Sequence, residues 1–428
     1  MKKRKRTGQF SQGSIDSISN LPEDVMNLIL VRLPIRDAVR TGILSKKWRY
    51  KWVNIPDIVF NEGCLMKGKS KTKHASAVDH VLLSHVGPIC KFSCMSYVPG
   101  GSHFDRWILI LSKKGIKKLS LKVNLLEKRY YVPSSIFNCQ ELCHLELFYC
   151  ILKVPPTFKG FHNLLVLDLD NSISEDDIEY LISKCPLLER LKLYAEFFKR
   201  FHIHAPNLRY LEFYGFFRDL SIGSSPLLTN MSLDFCLPPD YWDDYEKGNN
   251  FLQFIGCSHG IERLALKGTV LQFLCVGSIP EKLSATYDHL KCLEVDIKLN
   301  SKEILAILCI LRSAPNLKEL KIGYYLDSVE GRYDLFEEEG DFWGAETQFD
   351  CLLSHLRTVE VFGVATLLDL VFIRCILSNA PVLEIMKIYT NDYVEAEEVS
   401  RILKELLRFR RASTAEILYL GHYEVTSW

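Results

Sequence analysis

The sequence predicts an α/β leucine-rich repeat solenoid, a curved parallel sheet with helices on its outer face, preceded by a small three-helix module. Three observations predict it. A Leu-x-x-Leu-x-Leu pattern stands at 188–193, 208–213, 290–295 and 317–322 and recurs more loosely from Leu119 to Met386. Pro186, Pro206 and Pro226 fall twenty residues apart, each just before such a pattern. Ahead of both lies an apolar stretch, Leu21 to Trp52, with more large side chains than about forty residues can bury alone.

The N-terminal stretch reads as helices in turn. Asn20 or Ser19 offers a cap oxygen, Pro22 supplies the fixed φ of a first turn, and Glu23 and Asp24 put negative charge where the helix dipole favours it. Val25, Leu28 and Ile29, then Arg32 and Leu33, follow helical spacing, and Pro34 stops the run. Asp37 to Thr41 allows one or two further turns and Gly42 breaks them. Ser45 then caps a third helix that carries Trp48 and Trp52 on one face. Some of Leu21, Leu30, Leu33, Val39, Leu44 and Trp48 are expected to sit against another protein.

Asp16 to Asp24, Ile29-Leu30, Leu33-Pro34, Ala38 to Thr41 and Leu44 to Arg49 resemble, without gaps, the F-box of the large plant F-box family. The resemblance implies docking on a Skp-type adaptor, and through it on a cullin and a ubiquitin-transfer machine. It assigns adaptor binding, or the shape that binding needs, to Leu21, Pro22, Val25, Ile29, Leu30, Leu33, Val39, Leu44 and Trp48.

Composition bounds the remainder. The 428 residues suffice for a small module and a large domain, and 48% hydrophobic with 25% charged is ordinary globular usage. A net charge of +1 exerts no global pull toward nucleic acid or membrane. The 14 cysteines are scattered, with no Cys-x-x-Cys, and read as small core residues in a reducing compartment. Cys90/Cys94 and Cys139/Cys143 stand four apart, yet no nearby histidine pair completes a zinc set, so neither metal nor cofactor is expected. The start of the chain lacks the apolar stretch of a secretory signal, and an intracellular protein of nucleus or cytoplasm is expected. Lys2 to Arg6 reads either as a nuclear import signal or as a solvated basic tail. Val364 to Leu377 is the most hydrophobic segment, but it contains Asp369 and Arg374 and is too short for a bilayer; a core helix is expected.

The repeats carry the larger domain. Taking the second apolar residue of each pattern (Leu119, Leu145, Leu167, Leu191, Leu211, Met231, Leu264, Leu293, Leu320, Val359, Met386), the steps run from 20 to 39 residues and centre on the leucine-rich range. In Leu191-x-Leu193 both leucines point to one face of a short strand and stack on their counterparts in neighbouring repeats. Ser174 with Asp177 resembles a capping box, followed by Ile178, Leu181, Ile182 and Cys185 at helical spacing; Ser301 with Ile304, Leu305, Leu308 and Leu311 repeats the arrangement. Strand and helix are therefore expected to alternate.

Trp107 to Leu121, Tyr131 to Phe137 and Cys185 to Glu189 resemble plant F-box leucine-rich repeat proteins, and Phe349 to Val361 with Asn379 to Ile388 is similar to the C-terminal FBD region of that family. The organisation expected is a basic tail at 1–14, the F-box at 15–60, a polar linker or loop at 61–75, the repeats at 76–348, and an FBD region at 349–428 completing the solenoid.

Function is expected on the strand face that does not carry the leucines. Its two outward rows hold eight acidic, five basic and five aromatic side chains, a poor surface for phosphate and a better one for protein. Tyr194, Tyr214, Glu212, Asp234, Glu294, Lys321 and Phe362 are the candidate target-binding residues. Two acidic insertions, Pro238 to Asp244 and Glu330 to Asp350, read either as solvated loops or as contacts for a basic target segment. No phosphate-binding loop or nucleophile elbow is present, and a non-catalytic receptor is expected. The reading is a substrate-recognition subunit of a Skp-cullin-F-box ubiquitin ligase. Its rival is a leucine-rich sensor or scaffold that binds a small ligand or protein without ligase assembly.

Overall fold

Pro22 holds φ at −56° and has no N–H to satisfy, so the chain turns into α1 (Glu23–Val31) directly behind it. Pro22 itself stands at the cap, so the cap oxygen expected of Asn20 is not supplied; Ser19 lies outside the described residues. A computed structural model describes residues 18, 20–60, 71–96, 101–123, 130–170, 173–223, 225–235, 260–274, 279–283, 286–297, 301–324, 353–390 and 394–422. The chain divides into two units, Met1–Tyr149 and Cys150–Trp428.

In the first unit, α2 (Ile35–Arg40) follows Pro34, and a 3-10 turn at Thr41–Ile43 ends it. The third helix expected from Ser45 does not form. Turns lead instead to a second 3-10 segment, Lys51–Asn54. The reason lies at Gly42, where an added Cβ would stand 3.2 Å from the Arg49 carbonyl oxygen: the chain doubles back onto its own break. Trp48 and Trp52 are nonetheless both buried, with Met26, Leu30, Ile35 and Ala38 around the same core. The Trp48 indole N–H donates to the Ile18 carbonyl at 3.2 Å.

The module runs straight into a sheet. Strand β1 (Asp57–Phe60) pairs in parallel with β2 (Lys91–Ser96), β2 with β3 (Lys118–Val123), and β3 with β5 (His144–Phe148); a short β4 (Tyr130–Tyr131) lies between the last two in sequence. Ile58, Phe92, Leu119 and Leu145 share one register row, and Phe60, Cys94, Leu121 and Leu147 the next, all buried. Two strands thus precede the first one read from sequence, because phenylalanine and cysteine stand at leucine positions. Helices α3 (Lys71–Ser84) and α4 (Ser102–Leu111) connect β1 to β2 and β2 to β3.

The linker expected at 61–75 is corrected accordingly. Residues 61–70 lie outside the described residues, whereas 71–75 open α3, where Ala75, Val78 and Leu82 turn inward at helical spacing. The chain after α3 is tied to the module. The buried His85 ring meets the Ile55 carbonyl at 2.8 Å, and the Val86 N–H donates to the Val53 carbonyl at 3.0 Å. The compact units accordingly divide at Tyr149/Cys150, well past the expected boundary.

Asp79 on α3 fastens α4. Its carboxylate accepts from the Trp107 indole at 2.7 Å and from Arg106 Nε at 3.2 Å, with His103 at 3.0 Å. Burial acts to raise this carboxyl, but the Arg106 and Trp107 donors outweigh it and hold it below its ordinary value. A depressed folded pKa stabilises above the unfolded value of about 4 and is lost as pH falls through the folded value. Asp79→Asn is therefore expected to cost about 1–3 kcal/mol at neutral pH. The gap between the two proteins' melting temperatures should begin to close as pH falls below about 4 and vanish once it passes the lowered folded value; a gap independent of pH would contradict the assignment.

The second unit opens with β6 (Cys150–Ile151) and then lays ten strands side by side in chain order. These are β7 (Val166–Asp170), β8 (Arg190–Ile203), β9 (Tyr210–Ile222), β10 (Asn230–Phe235), β11 (Arg263–Gly268), β12 (Cys292–Ile297), β13 (Glu319–Tyr324), β14 (Thr358–Val364), β15 (Ile385–Thr390) and β16 (Glu416–His422). Every neighbouring pair is parallel. The predicted apolar positions align as two unbroken rows, Leu167 to Met386 and Leu169 to Ile388, and every member is buried. Strands β14 to β16, in the stretch expected to be an FBD region, continue the ladder with one strand more than the repeats read from sequence.

Among the described residues, helices return the chain in the longer repeats: α5 (Glu175–Ser183), α6 (Val270–Leu274), α7 (Ser301–Arg312), α8 (Leu370–Asn379) and α9 (Ala396–Leu406). Ser174 caps α5 as expected, accepting from the Asp177 N–H at 3.3 Å. The core helix expected at 364–377 is α8. The buried Asp369 carboxylate ahead of it accepts from the Ala365 and Thr366 N–H groups at 2.7 and 2.8 Å. No helix among the described residues is long and apolar enough to cross a membrane.

The twenty-residue repeats depart from the expected alternation. About eight residues are left for each return, and a helix of that length spans about 12 Å, short of the roughly 20 Å strand it must run back along. An extended segment spans enough. Hence β8 and β9 continue past a bulge as paired returns, Phe198–Ile203 beside Phe217–Ile222, with Phe198, Phe201, Ile203 and Phe217 buried. Acidic side chains of α5 satisfy the open edge: Glu179 accepts from the His202 N–H at 2.7 Å, and Glu175 from that of Lys199.

Candidate docking surfaces

Helix α1 is apolar on two sides. Met26 and Leu30, one turn apart, face the module core, while Val25, Leu28 and Ile29 lie on another face and are exposed, Leu28 at 61%. Val31 is also exposed, and after α2 the 3-10 turn presents Ile43 at 85% and the next residue Leu44 at 48%. So many large apolar side chains in water on so small a module mark an interaction surface.

The residues expected to serve an adaptor therefore separate. Pro22, Val25, Ile29 and Leu44 are exposed, and Leu21, Leu33 and Val39 are half-buried. Leu30 and Trp48 are corrected from surface to core, at 0% and 1% exposure, because each closes the module from inside. Leu28, Val31 and Ile43 were not among the residues expected there. The 25/28/29 spacing beside 26/30 was the available signal, two stripes on one helix. Glu23 and Lys51 form an ion pair that joins the start of α1 to the second 3-10 segment.

The second surface is the non-leucine face of the second unit, where the strand register brings all seven candidate target-binding residues to outward positions. Tyr194 lies beside Tyr214, and Lys192 beside Glu212, on β8 and β9. Glu212 accepts from Lys192 at 2.8 Å, from the Tyr194 hydroxyl at 3.3 Å and from the Tyr210 hydroxyl. Burial acts to raise its carboxyl, but these donors outweigh burial and lower it. The Tyr210 phenol is pushed up to about 12, by burial first and Glu212 second.

Asp234 follows Tyr214 on β10, with Lys267 beside it on β11. Burial raises its carboxyl, and it raises Asp296 to about 6 despite a hydrogen bond from the Gly268 N–H at 2.9 Å. Glu294 pairs with Lys267 at 2.8 Å. Further along, Lys321 and Lys387 flank Glu360 at 3.3 and 2.8 Å, and Phe362 stacks on Tyr389 with ring planes 9° apart. The face thus holds two groups, one around the tyrosine pair and one around Glu360. The acidic insertions expected to border it, 238–244 and 330–350, lie outside the described residues, as does the basic segment at 2–6.

Cys94 Sγ lies 3.9 Å from His74 Nε2, but Cys94 is buried. Burial also pushes the Cys139, Cys150 and Cys185 thiols up to about 12, far from the thiolate a nucleophile needs. No cluster of three or more metal-binding side chains occurs among the described residues.

Comparison with known proteins matches both parts of the chain. A family model for the F-box domain matches residues 18–57, and one described as FBD-associated F-box protein At5g56370, LRR repeats, matches 104–322. The chain is similar to the Arabidopsis thaliana F-box/FBD/LRR-repeat protein At1g13570, 36% identical over 422 residues that cover 95% of this chain and 99% of the relative. The chain belongs to the plant F-box/FBD/LRR-repeat family. The FBD-associated F-box protein At1g66310 of the same plant is 26% identical over 96% of this chain and 97% of its own length. Among solved structures, a crystal structure of a TLR13–ssRNA13 complex is similar at 13% identity and a TM-score of 0.34, over 83% of this chain and 57% of that one. In this F-box/FBD/LRR-repeat chain the F-box match ends at Asp57, where β1 begins, so F-box and sheet share a residue.

Proposed function

We propose that the chain is a non-catalytic substrate-recognition subunit of a Skp-cullin-F-box ubiquitin ligase. Its F-box docks the Skp-type adaptor, its repeat face holds a target protein, and ubiquitin is transferred by proximity with no group of this chain in the chemistry. This reading places the protein inside the cell, in the nucleus or cytoplasm. The observation that carries it is the second apolar stripe of α1, Val25, Leu28 and Ile29, which faces water while Met26 and Leu30 fill the core.

The test is co-purification of the full chain with a plant Skp-type adaptor. Two apolar anchors turned into charges forfeit about 1.5–3 kcal/mol each, so Leu28→Asp/Ile43→Asp should weaken capture at least about 100-fold at unchanged melting temperature. Leu21→Ala/Pro22→Ala is expected to weaken it less, since Leu21 is half-buried and Pro22 also sets the start of α1. No capture by the intact chain would overturn the proposal.

A further inference from the structure

The part of the non-leucine face carried by β7 to β12 differs in charge from the part that follows. Its two outward rows hold Asp168, Asp170, Glu212, Asp234, Glu294 and Asp296 against Lys192 and Lys267, a net of −4, which Arg190 and Arg263 at the strand starts on the same face bring to −2. Beyond it, Lys321, Glu360 and Lys387 leave +1 on β13 to β15, or zero with Glu319 at the start of β13. Both lysines of the acidic part are neutralised within the face, by Glu212 and by Glu294 at 2.8 Å each.

Between these carboxylates lies an aromatic pair. The Tyr194 and Tyr214 rings have centroids 5.6 Å apart, with Tyr214 40% exposed, and Asp170 and Asp234 occupy the neighbouring register positions on either side. The same strands already show how such a group receives a cation. The Arg190 guanidinium lies 4.1 Å over the Tyr210 ring, whose hydroxyl donates to Glu212. A ring face to hold a planar cation, with carboxylates beside it to pair its N–H groups, is a receptor for arginine or lysine.

We infer that the β7 to β12 face takes a basic segment of the target protein, with an arginine or lysine of that segment over Tyr194 and Tyr214 and its neighbours paired to the flanking carboxylates. The inference rests on reading the repeats as the target-binding domain. A phosphate-bearing partner has the wrong sign for this surface. An acidic protein segment does as well.

The full chain is titrated against fluorescein-labelled oligo-arginine and an oligo-glutamate of equal length, with anisotropy as the readout. Oligo-arginine should bind, more weakly as salt rises, and oligo-glutamate should not. Tyr194→Ala/Tyr214→Ala should weaken binding about ten-fold, whereas the phenylalanine pair, which keeps the rings, should retain most of it. Asp234→Asn/Glu294→Gln, which changes charge and little shape, carries the test if the alanine pair does not fold. Lys387→Ala, on the other group, should change nothing. An affinity equal in all variants, as if the peptide sat on the acidic run Glu337 to Glu339, overturns the inference, as does binding no tighter than that of oligo-glutamate. The adaptor is co-purified with the same variants. Its retention beside failed peptide binding defeats this inference alone, whereas failure of the intact chain to hold the adaptor defeats the ligase reading and leaves the peptide result to stand by itself.

Discussion

Trp48→Ala is expected to abolish adaptor capture although Trp48 offers the adaptor almost no surface. Its indole is 1% exposed, fills the F-box core with Met26, Leu30, Ile35 and Ala38, and donates to the Ile18 carbonyl at 3.2 Å. Removing so large a buried ring costs about 3–5 kcal/mol, and the module is too small to absorb the cavity. The outward stripe of α1 then loses the support that aims it. Near-ultraviolet circular dichroism and melting of the full chain should show the module disordered, in contrast to Leu28→Asp/Ile43→Asp, which should lose the adaptor and keep its fold. A Trp48→Ala protein that melts like the parent and still loses the adaptor would assign the indole a direct contact instead.

The second large effect is expected at Gly215. Its backbone has φ +133°, where side chains are strained, and it pairs with Ala195 beside the bulge that turns β8 and β9 into their returns. A Cβ there would stand 1.5 Å from the Ala195 carbonyl oxygen, a backbone atom that cannot swing aside. Strain and overpacking together amount to about 2–6 kcal/mol for Gly215→Ala. Gly421 is the control. It has φ +68° with nothing within 4 Å of an added Cβ, so Gly421→Ala carries the strain without the clash and should lower the melting temperature less. Equal shifts for the two variants would show that β8 and β9 part at little cost.

Most of the ladder was legible because its signal is local. Leu167, Leu191, Leu211 and their counterparts alternate with polar residues at the period of a strand, and each repeats at a distance only a solenoid explains. Strands β1 and β2 escaped notice because Ile58/Phe60 and Phe92/Cys94 lack the leucine signature and sit beside a lysine-rich stretch that resembles a loop. The expected third helix failed for a different reason. Trp48 and Trp52 have helical spacing, but the close approach at Gly42 folds that segment back.

The two docking surfaces divide along the same line. The outward rows of the repeats follow from the leucine positions, since side chains alternate across a strand, and this alone places Tyr194, Glu212 and Tyr214 on one face. Their grouping did. That Lys192 and Lys267 are neutralised in place, and that burial lifts Asp296 to about 6, depends on distances between strands that lie twenty or more residues apart in the chain.

By itself the sequence determined the F-box and the repeat period, because helix stops and apolar spacings are properties of a few neighbouring residues. Tertiary structure alone decided which stripe of α1 meets water. Met26 and Leu30 differ little in hydrophobicity from Leu28 and Ile29, and only the packing of Trp48 and α2 against one side leaves the other in water. It also decided that the twenty-residue repeats return as strands, because the length of the neighbouring strand sets the distance a return must cover.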